Sequence, residues 1–178
     1  MNITVYLGAS SGKNPVYREK ARELGNWIGA HGHRLVYGGS RIGLMGELAD
    51  AAIAAGGYVI GVEPRFFIEA VLQHEGVQEL ISVETMAERK AKMISLADAF
   101  IAFPGGTGTL EEISEIISMV CLGHTDRPCI IYYINHYYDI FAAHLDHMVE
   151  EGFVTPENRR KIRFVPGLPE LSRLLESR

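Results

Sequence analysis

Ala99-Phe100-Ile101-Ala102-Phe103-Pro104-Gly105-Gly106-Thr107-Gly108-Thr109-Leu110-Glu111-Glu112 is the stretch that decides the fold. Ala99 to Phe103 is wholly apolar, which predicts a strand covered on both faces rather than one with a wet side. Pro104 stops it, a glycine turn follows, and Thr109 to Leu122 has helical spacing. The same order occurs twice earlier. Ile3 to Leu7 runs into Gly8-Ala9-Ser10-Ser11-Gly12 and a helix over Pro15 to Ala30. Arg34 to Tyr37 runs into Gly38-Gly39-Ser40-Arg41-Ile42-Gly43 and a helix over Gly43 to Ala55. Further strands are predicted at 58–62, 79–83, 129–133 and 162–165, and further helices at 86–97, 138–150 and 168–175. Strands alternating with helices predict the α/β class: a single doubly wound, Rossmann-like domain over residues 1–178, with a mostly parallel sheet and helices on both faces.

The chain has 178 residues, enough to bury a sizeable core without disulfides or metals. It is 47% hydrophobic and 22% charged, which excludes a disordered or fibrous chain. With 17 Lys and Arg against 22 Asp and Glu, the net charge of −5 argues against a nucleic-acid binder. Two cysteines, Cys121 and Cys129, suit neither a disulfide framework nor a four-thiolate zinc site, and read as reduced thiols in the cytoplasm. No apolar run approaches the length that spans a bilayer, so no membrane partner is expected, and the N-terminus lacks a signal-peptide pattern. Only glycine is over-represented, with 19 residues.

Gly8, Gly12, Gly38, Gly39, Gly43, Gly105, Gly106 and Gly108 fall in the three strand-to-helix turns, where backbone N–H groups can approach an anion and a helix N-terminus adds its dipole. One such turn needs no ligand to explain it. Three at one sheet edge favour a nucleotide or sugar-phosphate pocket. Two familiar phosphate motifs do not match. The first turn lacks the G-x-x-x-x-G-K-[ST] spacing, and Gly39, Gly43 and Gly46 lack the G-x-G-x-x-G spacing. Glu63, closing the third strand, stands where a ribose-binding acid would, so an NAD-dependent oxidoreductase stays as one alternative. Ser10 and Ser11 lack a nucleophile elbow and read as donors to a ribose or phosphate.

Arg89 and Lys90 alone read as a solvated helix start. Thr109-Leu110-Glu111-Glu112 alone reads as a T-x-x-E capping box, with Glu112 as a cap. The Pro-Gly-Gly-x-Gly in front changes the weighing, because a cap does not need it. A carboxylate beside a phosphate loop is electrostatically awkward unless it has chemistry to do. Stabilising an oxocarbenium-like sugar, or taking a proton from water, is such chemistry, and a nearby arginine can hold the phosphate or orient the carboxylate.

Pro104-Gly105-Gly106-Thr107-Gly108-Thr109-Leu110-Glu111-Glu112 resembles the P-G-G-x-G-T-x-x-E signature of the Lonely Guy (LOG) proteins, cytokinin riboside 5′-monophosphate phosphoribohydrolases. The resemblance extends through Leu35 to Gly46, Glu88 to Met93, Asp98 to Ala102 and Tyr137-Tyr138-Asp139. It implies a Rossmann-like homodimer that cleaves the N-glycosidic bond of an AMP-like purine or cytokinin nucleoside 5′-monophosphate to free base and ribose 5-phosphate. It implies Arg89 and Glu112 as catalytic residues. Substrate contacts fall on Ser11, Gly39, Met86, Lys90, Gly105, Gly106, Thr107, Gly108, Thr109 and Glu111. No cofactor and no metal is implied. Relatives are often labelled lysine decarboxylases, yet nothing here identifies a pyridoxal lysine. The chain departs from the family at Ala87, where a His is usual, and at Val71, where a Glu is usual, which bears on the base pocket.

A non-catalytic nucleotide or cofactor carrier on the same fold is the main alternative. The histidines, with His144 and His147 three apart and His31 and His33 flanking a turn, match no strong metal-ligand spacing. Tyr132, Tyr133, Tyr137 and Tyr138 have two readings, as lining of a base pocket or as strand and helix-start packing, and packing is favoured. The last predicted helix-borne feature is an apolar stripe, Ile113, Ile116, Ile117, Met119, Val120 and Cys121, wide enough to be covered by the sheet and, on an outward side carrying Ile116 and Met119, by another helix of the same or a second chain.

Overall fold

The computed structural model describes residues 1–69 and 72–176. Ala70 and Val71 lie outside the described residues, and the expectation attached to Val71 lies there with them. The elements run β1 (Asn2–Tyr6), α1 (Val16–Ala30), β2 (Arg34–Tyr37), α2 (Gly43–Ala54), β3 (Tyr58–Pro64), α3 (Arg65–Glu69) and β4 (Glu79–Val83). They continue with α4 (Met86–Leu96), β5 (Ala99–Ala102), α5 (Thr107–Cys121), β6 (Cys129–Tyr132), α6 (Asp139–Glu150), α7 (Pro156–Lys161), β7 (Ile162–Val165) and α8 (Leu168–Glu176). The strands form one sheet in the order β4-β3-β2-β1-β5-β6-β7, with every neighbouring pair parallel.

Successive strand residues feed opposite faces. Ile3 and Val5 of β1, and Leu35 and Tyr37 of β2, pack with α1, α2 and α8. Tyr6, Val36 and Phe100 pack with Met93 of α4, Ile113, Ile116 and Val120 of α5, and Leu145 of α6. Both faces are covered, which is why these strands show no polar alternation.

The chain winds outward in one direction from β1 to β4 and in the other from β5 to β7. The switch lies between β1 and β5, so the turns leaving these two strands open a crevice at their carboxyl ends. There the three glycine turns meet. Gly8 donates its N–H to the Pro104 carbonyl at 3.2 Å. Gly43, at φ +61°, lies so close to the first turn that a Cβ would stand 2.1 Å from the Ala9 carbonyl oxygen. Only glycine satisfies both demands.

Two sequence expectations need correction. Helix α5 begins at Thr107 with Gly106 as its N-cap, and no side chain caps it. Thr109 is already inside the first turn and buried, so the T-x-x-E box at 109–112 does not form. The glycines let the chain enter the helix two residues early. Ile116 does not face outward either: it is fully buried among the sheet residues, and the outer side of α5 is marked by the exposed Leu110 and Leu122. Two short helices also escaped the sequence reading. Helix α7 had a legible start, since Thr155 accepts from the Asn158 N–H at 3.2 Å with Pro156 following it. Helix α3 spans five residues and carries no such signal.

Candidate active site

Arg89 is the hub of the crevice. It sits in the first turns of α4, which starts properly: Thr85 caps it by accepting from the Glu88 N–H at 3.1 Å, and Glu88 accepts from the Glu84 N–H at 3.0 Å. Arg89 is 7% exposed and all three nitrogens of its guanidinium are used. Nε donates to the Val62 carbonyl at 3.0 Å, Nη2 to the Gly38 carbonyl at 3.2 Å, and Nη1 to Glu112 Oε1 at 3.3 Å. A Cβ on Gly38 would lie 1.9 Å from Nη2, so the second glycine turn leaves the space that this guanidinium fills. Two carbonyls and one carboxylate fix its plane, which a lysine could not reproduce.

Glu112 is 8% exposed, one turn inside α5. Burial is the main influence on its carboxyl and pushes it up to about 7, while Arg89 pulls it down. A carboxyl in that range can hold or release a proton near neutrality. Lys90, next to Arg89, turns away to bridge α4 and α5. It donates to Glu111 and pairs with Glu115 at 3.0 Å.

A cleft of about 390 Å³ opens at this point, with Arg89 and Glu112 in its wall. Gly106, Thr107, Gly108 and Thr109 line one side. The N–H groups at the start of α5 have no intrahelical partners, and the dipole adds positive potential there. Leu7, Met45 and Met86 supply apolar surface. The cleft therefore combines an anion-binding turn, an apolar wall and a buried carboxylate–guanidinium pair.

Of the residues singled out in the sequence, Met86, Arg89, Gly106, Thr107, Gly108, Thr109, Glu111 and Glu112 line this cleft. Gly105, Gly39, Ser11 and Lys90 lie outside its lining. Ser10, rather than Ser11, reaches it, together with Leu7, Gly8, Ala9 and Met45. Most of those additions belong to the first two glycine turns, so the signal for them was present. Ala87 is exposed in the first turn of α4, outside the cleft lining. Glu63 is 1% exposed and packs behind Gly39, where burial pushes its carboxyl up to about 7. It does not reach the cleft, which removes the residue on which the NAD reading stood. A larger cavity of about 1040 Å³ lies along β7 and α8, lined by His124, Arg127, Lys161, Arg163 and Arg173, but it holds no buried acid–base pair. Among the described residues, no three His, Cys, Asp or Glu side chains gather as metal ligands. His147 pairs with Glu150 at the surface, and His31 and His33 pack on Trp27.

The chain is similar to several known proteins. The family model described as "possible lysine decarboxylase" matches residues 45–175. The cytokinin riboside 5′-monophosphate phosphoribohydrolase of Rhodococcoides fascians is 43% identical over 164 residues, covering 90% of this chain and 82% of that protein. The Arabidopsis thaliana cytokinin riboside 5′-monophosphate phosphoribohydrolase LOG7 is 42% identical over 174 residues, covering 98% of this chain and 80% of that protein. Among solved structures, the molybdenum cofactor binding protein from Rippkaea orientalis superposes with a TM-score of 0.74 at 21% identity, covering 99% of this chain and 95% of that one. The Moco carrier protein from Chlamydomonas reinhardtii gives 0.73 at 19%, with the same coverage. These two likenesses speak to the fold alone, whereas the sequence matches speak to kinship. The chain belongs to the LOG family of cytokinin riboside 5′-monophosphate phosphoribohydrolases.

Proposed function

We propose that this protein hydrolyses the N-glycosidic bond of a purine or cytokinin nucleoside 5′-monophosphate, releasing the free base and ribose 5-phosphate. The observation that carries the reading is the Arg89–Glu112 pair, buried beside an uncapped, glycine-led helix N-terminus. The N-terminal turn of α5 binds the phosphate through Gly106, Thr107, Gly108 and Thr109. The apolar wall of Met45 and Met86 receives the base. The bond from the sugar C1′ to the base nitrogen breaks with positive charge building on the sugar. Ionised Glu112 faces that charge and takes a proton from the attacking water as its oxygen bonds to C1′; that proton passes on to the leaving base, which returns Glu112 to its ionised form. Arg89 holds the Glu112 carboxylate in place and offsets part of the cost that burial puts on its charge. Glu111, in the cleft wall, is a secondary contact, and Lys90 holds Glu111 from outside the lining.

We also propose that the working form is a cytoplasmic homodimer. Exposed Leu110 and Leu122 on α5, Ile140 on α6 and Phe153 after it are large apolar side chains that a second copy would cover. Among the described residues no helix is long and apolar enough to cross a membrane.

The test is incubation with AMP and with an isoprenoid-modified adenosine monophosphate, followed by separation of free base. Base release without added metal or cofactor supports the reading. Tight nucleotide binding with no base release would favour the carrier alternative. Light scattering showing an active monomer would remove the dimer.

A further inference from the structure

The carbonyl groups of the turn after β5 are all engaged, and each by a different donor. Phe103 accepts from the Tyr138 hydroxyl at 2.8 Å, Pro104 from the Gly8 N–H at 3.2 Å, Gly105 from the Tyr137 hydroxyl, and Gly106 from the Leu110 N–H at 3.1 Å. The Gly105 carbonyl belongs to the same planar peptide unit as the Gly106 N–H. Among the described residues no peptide bond is cis, so the two groups point in opposite directions. Fixing the carbonyl on one side fixes the N–H on the other. Gly106 lines the cleft and Tyr137 does not, so the phenol works from behind the turn. Glycines on both sides of this peptide leave it little intrinsic resistance to turning over.

Tyr137 is brought there by an unusual piece of backbone. Asn135 and His136 both have positive φ, 49° and 59°, in the turn that leads from β6 to α6. Non-glycine residues adopt this region at a cost and hold it only where their surroundings fix them. Here neighbouring groups supply the fixing contacts. The Tyr137 N–H donates to the Ile134 carbonyl at 3.0 Å, its ring stands edge-on to Tyr138 at 5.0 Å, and it stands edge-on to Tyr17 at 5.8 Å.

We propose that Tyr137 is a positioning residue for the anion turn: by holding the Gly105 carbonyl outward, its hydroxyl keeps the Gly106 N–H turned into the cleft toward the substrate's phosphate. This rests on the phosphate site proposed above. Without the hydroxyl the peptide can turn over. The cleft then loses a donor and gains a carbonyl that repels the anion.

The test compares wild type with Tyr137→Phe, using inorganic phosphate as a probe of the anion site and AMP as substrate. Thermal unfolding checks the fold; the side chain is half exposed and keeps its ring, so Tm should hold. The variant should bind inorganic phosphate about tenfold more weakly, the worth of one hydrogen bond to a charged group. KM for AMP should rise by a similar factor, with kcat at saturation within about twofold of wild type. Unchanged phosphate affinity overturns the proposal, as does a fall in kcat at constant KM. If wild type binds phosphate but releases no base, the hydrolase reading falls while the positioning role is still decided by phosphate affinity. If wild type binds no phosphate, both fall.

Discussion

Thr85-Met86-Ala87-Glu88 and Thr109-Leu110-Glu111-Glu112 carry the same T-x-x-E pattern at the start of neighbouring helices, and the fold uses them in opposite ways. At α4 the pattern is a working cap: Thr85 accepts from the Glu88 N–H, and both residues stay at the surface. At α5 the helix has already begun at Thr107, so Thr109 is buried and Glu112 turns inward to meet Arg89 at 3.3 Å. The difference lies in what precedes them. Glu84 before Thr85 is ordinary chain, whereas Gly105 and Gly106 let α5 start without a side-chain cap. The uncapped N–H groups are then left for a ligand, and the glutamate is left for chemistry. The first segment builds the helix that carries Arg89, and the second supplies Arg89's carboxylate.

Of the two segments, the second is the more sensitive to substitution, and Glu112 is its most sensitive position. Glu112→Gln keeps the size and a hydrogen-bond acceptor for Arg89 but removes the charge. Base release from AMP should fall by about 10²–10⁴, the usual range for a lost general base. Nucleotide affinity should change little. Since no cap is lost, thermal unfolding should not show a cap-sized drop. A wild-type rate in this variant would make Glu112 structural after all.

Arg89→Lys comes next. One ammonium cannot serve the Val62 carbonyl, the Gly38 carbonyl and Glu112 together. The rate should fall by roughly 10², an order-of-magnitude expectation for a misaligned catalytic carboxylate. The midpoint of the pH–rate curve should move up, because the charge that pulls Glu112 down is less well placed. A midpoint that stays where wild type has it would detach Arg89 from that role.

The pH dependence itself separates activity from stability. With Glu112 at about 7, the rate should climb about tenfold per pH unit below that value and level off above it. Stability should run the other way. Glu112 and Glu63 are both raised from 4.5 to about 7, so the folded state holds their protons more tightly than the unfolded chain does. Each contributes stability that is full below about 4.5 and is lost as pH rises through about 7, at up to ~1.4 kcal/mol per pH unit per group. Charges facing Glu112 are those of Arg89, Lys90, Glu111 and Glu115. Thermal unfolding from pH 5 to 8 should show Tm falling while activity rises, and Glu63→Gln should flatten the Tm curve. A Tm that rises over this range would contradict both assignments.

The smallest effect belongs to the first segment. Thr85→Ala removes a cap worth ~1 kcal/mol, or about 2–4 °C of Tm in a chain of this size. Arg89 keeps its own three bonds, so base release should stay within about threefold of wild type. A loss comparable to that of Glu112→Gln would show that the two segments are not divided as described.

The sequence by itself determined the parallel α/β order, the three glycine turns and the identity of Arg89 and Glu112 as candidates. Unbroken apolar strands, glycine clusters and a long specific motif are local signals, and local steric and solvation rules govern them. Other features depended on distant segments meeting. Nothing near Gly38 in the chain says that it makes room for a guanidinium from 51 residues on. Nothing near Tyr137 says that it reaches Gly105. Taken alone, the T-x-x-E pattern at 109–112 reads as a cap, because pattern records spacing, while the start of a helix depends on where its N–H groups find partners. Glu63 looked like a ligand residue on position along its strand, and only packing behind Gly39 closed it off. Burial, not residue type, makes one carboxylate of α5 a surface charge at Glu111 and the next a group that titrates near neutrality at Glu112, and burial exists only once the sheet, the turns and both helices are in place.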